Sequence, residues 1–356
     1  MNLKRIKRYF KIHWLLTLFS LFSLLSYASV FIPPTVFWPA VFASYAIPGI
    51  LILNLLVLLT IPFYRKTLVL FPLISLLIGT PFILITYSFM GEKEFDDHDL
   101  SILSYNVKFF RMSDTYDKFS TELIAWVSKD SSEVKCLQEY CTNSYYPKLN
   151  ATKTIAEKGY DSFVFAAKGK VSNHDQGLAI FSKYDILDTG FVWENYGSIN
   201  AGIFADIKIG LDTIRIYNVH LESMGLFLHQ YKYAEQYDSK MKSLISKLKR
   251  GAEKRSNQIE KLIYHTNNCP FPYIICGDFN DTPYSYNYFT LKQHFANAFE
   301  DAGNGFGFSF NSLLFFLRID HHFFNGKIEA VNYRVDRSMK ISDHFPTRGF
   351  YRIQKN

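Results

Sequence analysis

Acidic side chains are missing from the first 91 residues. That stretch holds Lys4, Arg5, Lys7, Arg8, Lys11, Arg65 and Lys66, and no Asp or Glu. The formal net charge of +7 therefore lies entirely in the N-terminal region, and residues 92–356 are formally neutral. The high pI cannot be used to argue for a nucleic-acid surface on the C-terminal part, because the charge is not there. Cysteine is scarce: Cys136, Cys141, Cys269 and Cys276 are all there are. With no CxxC pair and no Cys/His spacing of the zinc type, a structural zinc site is excluded. Cys136 and Cys276 sit in apolar runs and read as small core residues. Cys141 and Cys269 pair only if the fold brings them together. Repeats and low-complexity linkers are also absent. The length of 356 residues suggests two or three units.

Charge is absent from three successive apolar runs, residues 12–32, 36–63 and 67–90. Each reaches the roughly 20 residues that a helix needs to cross a bilayer. The expectation is three transmembrane helices within a membrane anchor over residues 1–91. A cleaved signal peptide is excluded, because its apolar part spans only about 7–15 residues and two more spans follow. The five Lys/Arg of the first eleven residues, and the Arg65-Lys66 loop, belong on the cytoplasmic side. The uncharged loop around Pro33-Pro34 belongs outside. An odd number of spans then predicts a multi-pass membrane protein of the plasma or inner membrane, with its C-terminal domain on the non-cytoplasmic face. Trp14, Trp38 and Tyr64 lie near span ends, where interfacial aromatics collect. The spans contain no ionisable Lys, Arg, Asp or Glu, which argues for an anchor and against a transport path.

After a short linker, residues 92–98, the pattern changes to alternation. Leu100 to Val107, Val134 to Glu139, Asp161 to Phe165 and Gly177 to Ser182 read as strands. Ile203–Ile209 and Thr213–Val219 read as a hairpin across Gly210-Leu211-Asp212. Ile274 to Asp278, Leu317 to Phe324 and Pro346 to Arg352 complete the set. Helical periodicity covers 118–129, about 144–157 and 226–266. Within the last, 240–255 is rich in Lys and Arg and reads first as a solvated face. Gly225 to Leu228 reads as the apolar face of that helix, with a membrane-contacting loop as the other reading. Strands outnumber helices, which predicts an α+β domain of two packed sheets with outer helices over residues 99–354.

Polar residues gather where these strands end: Asn106, Glu139, His220, Asp278, Asn280, Asp320, Asp343 and His344. Each alone has a bland reading as a turn amide, surface carboxylate or structural histidine. Together their types fit metal-assisted attack of water on a phosphate ester. A hard cation such as Mg²⁺, or Mn²⁺, takes oxygen ligands and needs only one or two carboxylates. Glu139 is the best ligand, with Asn106 and Asp343 near it. His344 has a suitable pKa for a base, with Asp320 to orient it. His220 can hydrogen-bond a phosphoryl oxygen. Asp278 and Asn280 can position the water and the phosphorus.

The motifs LSYNVK, LQE, GLAIFSK, NVHLES, GDFNDTP, RIDH and SDHFP, in this order, resemble the endonuclease/exonuclease/phosphatase superfamily. That group includes DNase I-like nucleases, abasic-site endonucleases, neutral sphingomyelinases and inositol polyphosphate 5-phosphatases. The resemblance implies a four-layer α/β/β/α sandwich with a divalent metal at one edge. It implies that Glu139 is the metal-binding Glu and Asn106 the first-motif Asn. Asp278 and Asn280 match the GDxN pair, Asp320 the support of the catalytic His344, Asp343 the Asp before it, and His220 the phosphate-contacting His. One departure stands out: Lys108 occupies the position where abasic-site nucleases carry an Asp near the metal, which puts a second metal there in doubt.

The resulting expectation is a membrane-anchored, Mg²⁺-dependent phosphoester hydrolase of the phosphodiesterase or endonuclease type. A lipid phosphodiesterase or a phosphatase of the same fold is the alternative, and a non-catalytic binding module the weaker one. Substrates in scope are nucleic acid, phospholipid or a phosphorylated small molecule, and the bilayer itself is a partner.

Overall fold

The computed structural model describes residues 3–63, 65–91, 100–112, 115–167, 175–194, 197–223, 237–312 and 314–354. The linker 92–98, Tyr64, the Gly225–Leu228 segment and the first part of the expected 226–266 helix lie outside them.

The N-terminal region forms helices α1 (Leu3–Ala28), α2 (Ala40–Tyr45), α3 (Ile47–Thr60), α4 (Leu70–Ile78) and α5 (Thr80–Thr86), then the two-residue strand β1 (Tyr87–Ser88). Among the described residues one helix, Lys11–Phe31, is long and apolar enough to cross a bilayer, and a second span results only if the bent pair Lys66–Ile78 and Thr80–Thr86 is taken as one. The other two expected spans are not continuous. Residues 36–63 are divided at Pro39 and Pro48, whose rings remove amide donors, and the apolar helix left there, Ile47–Phe63, is short. Residues 67–90 bend by 52° between Lys66–Ile78 and Thr80–Thr86, at Gly79 with Pro81 just after it. Charge-free composition did not register these breaks. The helices still run up, down and up. Leu16, Ile61 and Leu68 cluster at one end, and Tyr27, Val30, Ile47, Ile50, Phe82 and Ile85 at the other.

The remaining chain runs β2 (Leu100–Asn106), β3 (Arg111–Met112), β4 (Thr115–Phe119), α6 (Thr121–Lys129), β5 (Val134–Thr142), α7 (Ala151–Ala156), β6 (Asp161–Ala166), β7 (Asp175–Ser182) and β8 (Ile186–Trp193). It continues with β9 (Gly202–Ile209), β10 (Asp212–His220), α8 (Tyr237–Asn267), β11 (Tyr273–Asp278), α9 (Tyr286–Lys292), β12 (Ala296–Asn297), α10 (Ala298–Ala302), β13 (Gly305–Phe306), β14 (Asp320–Phe324), β15 (Ile328–Val335) and β16 (Thr347–Ile353). Two six-stranded sheets result, in the orders β15-β16-β2-β5-β7-β6 and β12-β14-β11-β10-β9-β8. The expected β9–β10 hairpin is present in full register. Strands β8 and β15 were not expected. The 144–157 region is helical only over Ala151–Ala156, after a short 3₁₀ turn. None of the four cysteines forms a disulfide, so Cys141 and Cys269 do not pair.

Strand alternation explains the layers. Ile102, Cys136, Ile180, Ile203, Ile216, Ile274 and Cys276 point between the sheets and form one core. Their neighbours point outward. Leu103, Tyr105, Leu137 and Phe181 meet α6 and α7 through Leu123, Val127 and Ile155. Tyr217, Val219, Ile275 and Phe323 meet α8 and α9 through Ile259, Leu262, Tyr288 and Leu291. The expected α/β/β/α sandwich is therefore present. The helices of the N-terminal bundle join the outer layer, since Tyr27, Ile47, Phe82 and Ile85 share the α8/α9 core.

Polar contacts fasten that bundle to the loop after β11. Tyr45 Oη donates to Asp281 Oδ1 at 2.8 Å. Arg255 of α8 donates through Nε to Asp281 Oδ2 at 3.1 Å and through Nη1 to Glu222 O at 3.0 Å. Thr86 and Tyr284 hydroxyls lie 2.6 Å apart, and Arg318 Nη2 donates to Ile85 O at 2.7 Å. Strand β1 pairs with β13. Arg255 and Asp281 are buried, and removing one partner of a buried ion pair strands the other charge, at about 3–5 kcal/mol. Asp281→Ala in the full chain should lower the unfolding temperature by roughly 5–10 °C. A variant that melts within a degree of the parent would show that this clasp holds nothing.

Candidate active site

The alternation that builds the core also delivers the site. On β2 the inner-face series is Ile102, Ser104, Asn106. On β10 it is Ile216, Asn218, His220. On β11 it is Ile274, Cys276, Asp278, and on β14, read backwards, Phe324, His322, Asp320. Apolar residues lie deepest, a polar layer follows, and the functional groups stand at the edge. The two central strands run parallel with His220 opposite Asp278, and β14 runs antiparallel with Asp320 opposite Asp278. Register alone therefore brings three of the groups to one line.

The polar layer forms a floor beneath them. Gln138 Nε2 donates to Asn218 Oδ1 at 2.7 Å across the two sheets. Asn218 Nδ2 donates in turn to Leu137 O and Ala179 O. His322 meets Tyr351 Oη at 2.8 Å and Thr347 Oγ1 at 3.1 Å. Burial holds its imidazole down at about 3, so it stays neutral. Buried polar groups are kept when each finds a partner, and here they rigidify the strand ends. Gln138, Asn218 and His322 were not singled out from the sequence. Their signal was a polar residue breaking the inner-face series one step before the edge.

Glu139 would face outward if β5 were regular. A register shift between Leu137 and Tyr140, with Glu139 at φ 45°, turns it into the site. Gly277 is required beneath. Its φ is 148°, and a Cβ there would lie 2.0 Å from Val219 O.

The eight expected residues are placed as follows. His344 Nδ1 lies 2.9 Å from Asp320 Oδ2, and its Nε2 lies 3.6 Å from Asp278 Oδ2. Asn106 Nδ2 donates to Asp278 Oδ2 at 3.0 Å and to Glu139 Oε1 at 3.2 Å. His220 Nε2 stands 3.6 Å from Asp278 Oδ2 and 3.8 Å from Glu139 Oε1. These six groups form one cluster. Asp343 is turned toward Lys108, whose Nζ is 2.8 Å from Oδ2. Asn280 adopts φ 50° and donates its side-chain amide to Leu221 O at 3.0 Å, while its backbone N–H donates to Asp278 Oδ1 at 2.8 Å. Asp278 and Asn280 therefore do not converge through their side chains. Asn280 ties the loop after β10 to the loop after β11.

Supporting residues had no sequence signal of their own. Ser309 Oγ accepts the Asp320 N–H at 3.1 Å, and Ser342 Oγ donates to Asn106 O at 2.8 Å. Phe310 packs edge-on against His344, with ring centroids 5.2 Å apart.

The electrostatics follow from burial beside carboxylates. Burial alone would lower the His344 imidazole, but the Asp320 and Asp278 carboxylates outweigh it and hold it at about 10. Burial pushes Asp320 up, against the pull of His344. Burial also raises Glu139, with His220 opposing and Asp343 adding to the rise. Among the described residues, both ring nitrogens of the buried His220 lack a hydrogen-bond partner, which leaves them available to a group that enters the site. Asp278, Asp320 and His344 also offer atoms within 4.8 Å of one another, close enough to hold a metal. Two of them, Asp320 and His344, are already joined by the 2.9 Å hydrogen bond. Oxygen donors from Asn106, Glu139 and Asp278 suit a hard divalent cation, and Glu139, 23 % exposed, is the most accessible of the three.

Comparison with known proteins gives the same picture. The profile of the Endonuclease/Exonuclease/phosphatase family matches residues 103–344. A domain of unknown function (DUF8431) matches residues 8–86. No curated protein matches the chain. Among solved structures, an endonuclease/exonuclease/phosphatase from Beutenbergia cavernae superposes with a TM-score of 0.53 at 14% identity, covering 72% of each chain. An endonuclease/exonuclease/phosphatase family protein from Leptotrichia buccalis gives 0.52 at 15% identity, over 72% of this chain and 100% of that one. The human Nocturnin catalytic domain with bound sulfate anion gives 0.50 at 13% identity, over 73% of this chain and 97% of that one. At these identities the superpositions show the fold. The family profile spans well over half of the sequence and includes every strand end described above: the chain belongs to the endonuclease/exonuclease/phosphatase family.

Proposed function

We propose that the protein is a membrane-anchored, divalent-metal-dependent hydrolase of phosphoester bonds, with an anchor over residues 1–91 and a catalytic domain over 99–354. The observation that carries the reading is the buried His344–Asp320 pair, 2.9 Å apart, with the far nitrogen of His344 facing Asp278. In this reading Asp320 fixes the His344 ring with Nδ1–H toward the carboxylate, leaving Nε2 to take a proton from the attacking water. Asp278, itself fixed by the backbone N–H of Asn280, holds that water and the phosphate in line. His220 donates to a phosphoryl oxygen. Glu139 and Asn106, with Asp343 at the margin, would hold Mg²⁺ or Mn²⁺. That cation supplies charge stabilisation of the phosphoryl and leaving oxygens, and offsets the carboxylates that now favour an imidazolium. Lys108 already neutralises Asp343, which favours a single cation.

Treatment with EDTA should abolish turnover of bis(p-nitrophenyl) phosphate by the full chain in detergent, and Mg²⁺ or Mn²⁺ should restore it. Activity indifferent to chelator would sink the metal-dependent reading.

Membrane immersion of the N-terminal bundle rests on what its helices show to solvent. Trp14 is 64 % exposed and Leu25 68 %, and the apolar side chains of α3 and α4 are exposed in the same way. The basic residues Lys11, Arg65 and Lys66 adjoin the Leu16–Ile61–Leu68 end, and the catalytic domain adjoins the other. That separation supports a cytoplasmic basic end and a catalytic domain on the non-cytoplasmic face. Protease added to spheroplasts should cleave the catalytic domain; complete protection in sealed spheroplasts, with cleavage after lysis, would reverse the orientation.

A further inference from the structure

The segment Gly305 to Phe310 reads Gly-Phe-Gly-Phe-Ser-Phe, and its residues alternate in burial. Gly307 and Ser309 are turned inward. A Cβ on Gly307 would meet Phe299 and Arg318, and Ser309 holds the Asp320 N–H. Phe306, Phe308 and Phe310 are left on the outer side. Phe306 is 48 % exposed, and its ring stacks on Phe308 with centroids 5.0 Å apart. At one end Phe306 meets Tyr87 at 4.9 Å, and Tyr87 meets Phe89 at 4.6 Å. Phe89 and Met90, where the anchor ends, are themselves 73 % and 67 % exposed. At the other end Phe310 packs on His344. Four rings, Phe89, Tyr87, Phe306 and Phe308, thus follow one another from the end of the anchor, and Phe310, on the same side of the segment two residues on, meets His344. Strand β1 pairs with β13 through Tyr87–Phe306 and Ser88–Gly305, so the Phe306 ring also serves that junction, whereas Phe308 and Phe310 lie beyond the paired residues.

Resting on the reading of this site as a phosphoester hydrolase, we infer that Phe306, Phe308 and Phe310 form an apolar track for the acyl chain of a bilayer phospholipid. The substrate is then a long-chain phosphoester, drawn along the rings with its phosphate delivered to His344 and His220. The track is continuous with the lipid-exposed surface of the anchor, and this selects a lipid over other ligands of aromatic rows. Bases of a single strand could also stack on rings, but strand binding needs a basic groove that follows the phosphates. Residues 92–356 carry no net positive charge. Arg337 Nη2 is occupied by the carbonyls of Phe306 and Phe308 and braces the row.

The test uses the full chain in mixed micelles with Mg²⁺. Three kinds of probe are compared: dioleoyl phosphatidylcholine, phosphatidylethanolamine and phosphatidylglycerol; bis(p-nitrophenyl) phosphate; and a single-stranded oligonucleotide. The paired substitution Phe306→Ser/Phe308→Ser should lower the ratio of lipid to soluble-ester kcat/KM by about tenfold or more, as expected for two lost apolar contacts. Phe306→Leu/Phe308→Leu keeps the track apolar and should hold that ratio within about threefold of the parent. The inference is overturned if the parent hydrolyses the soluble ester but no phospholipid. It is also overturned if the Ser pair leaves the ratio unchanged, if the Leu pair loses it as the Ser pair does, or if the oligonucleotide is the substrate that the Ser pair loses. A parent inert toward all three kinds of probe would remove the hydrolase reading itself, and this inference with it.

Discussion

His344→Ala should lower kcat for bis(p-nitrophenyl) phosphate by about 10³-fold, within the roughly 10²–10⁴-fold range of a positioned general base. The ring touches Asp320, Asp278 and Phe310, and its loss leaves Asp320 a buried carboxylate without its partner, so the unfolding temperature and Mg²⁺ affinity of the full chain are to be measured beside kcat. Asp320→Asn should fall in the same range by a different route. It keeps the shape and loses the charge that fixes the ring tautomer across the 2.9 Å contact. The sign of the electrostatic change can be read separately. Asp320 is the largest of the influences that hold the His344 imidazole up, so Asp320→Asn should move its titration downward, observable by NMR of the ring protons. A loss smaller than tenfold for His344→Ala would assign the base to another group.

Glu139→Gln is the second large effect. The amide keeps the size of the side chain and gives up one full negative charge at the most accessible carboxylate of the six-residue cluster. Mg²⁺ titrated calorimetrically into the variant should show affinity weakened by about 10²-fold, with turnover at the parent's saturating Mg²⁺ reduced at least as much, since a bound cation contributes several kcal/mol to phosphoryl transfer. Metal affinity equal to the parent's would move the ligand set to the buried Asp278–Asp320–His344 group. Glu139→Ala is the weaker experiment, because it also removes the acceptor of the Asn106 hydrogen bond.

Much of the sandwich was legible because a half-buried strand writes its two faces into alternate residues. Series such as Ile102–Ser104–Asn106 and Ile216–Asn218–His220 end in functional groups, and chain order did the rest. Four things were not legible. The turn of Glu139 into the site depends on a bulge with φ 45°, and nothing local in Leu137–Gln138–Glu139–Tyr140 announces it. The partners of Asp281 come from Tyr45 and Arg255, distant in the chain, and a sequence shows no such pairing. The second and third apolar runs met the composition of a span, and Pro39, Pro48 and the Gly79–Pro81 break divided them. Those residues were visible, but hydropathy weighs side chains and not backbone hydrogen bonds. Strand β8, Ile-Leu-Asp-Thr-Gly-Phe-Val-Trp, lacks clean alternation because it lies at a sheet edge with its outer side largely wet.

The bond from Tyr45 to Asp281 spans 236 positions of sequence and joins the N-terminal bundle to the loop that follows the GDFN motif. A bundle that served only as a leash could be exchanged for any other hydrophobic segment. One that completes the surroundings of a buried carboxylate cannot. The two halves are therefore bound to a common history: a change at Tyr45 alters what is tolerated at Asp281 and Arg255, and genealogies drawn separately from residues 8–86 and from 103–344 should branch alike. Fusing residues 99–354 to a foreign hydrophobic segment would break that inheritance and leave Asp281 and Arg255 without the hydroxyl that bridges them.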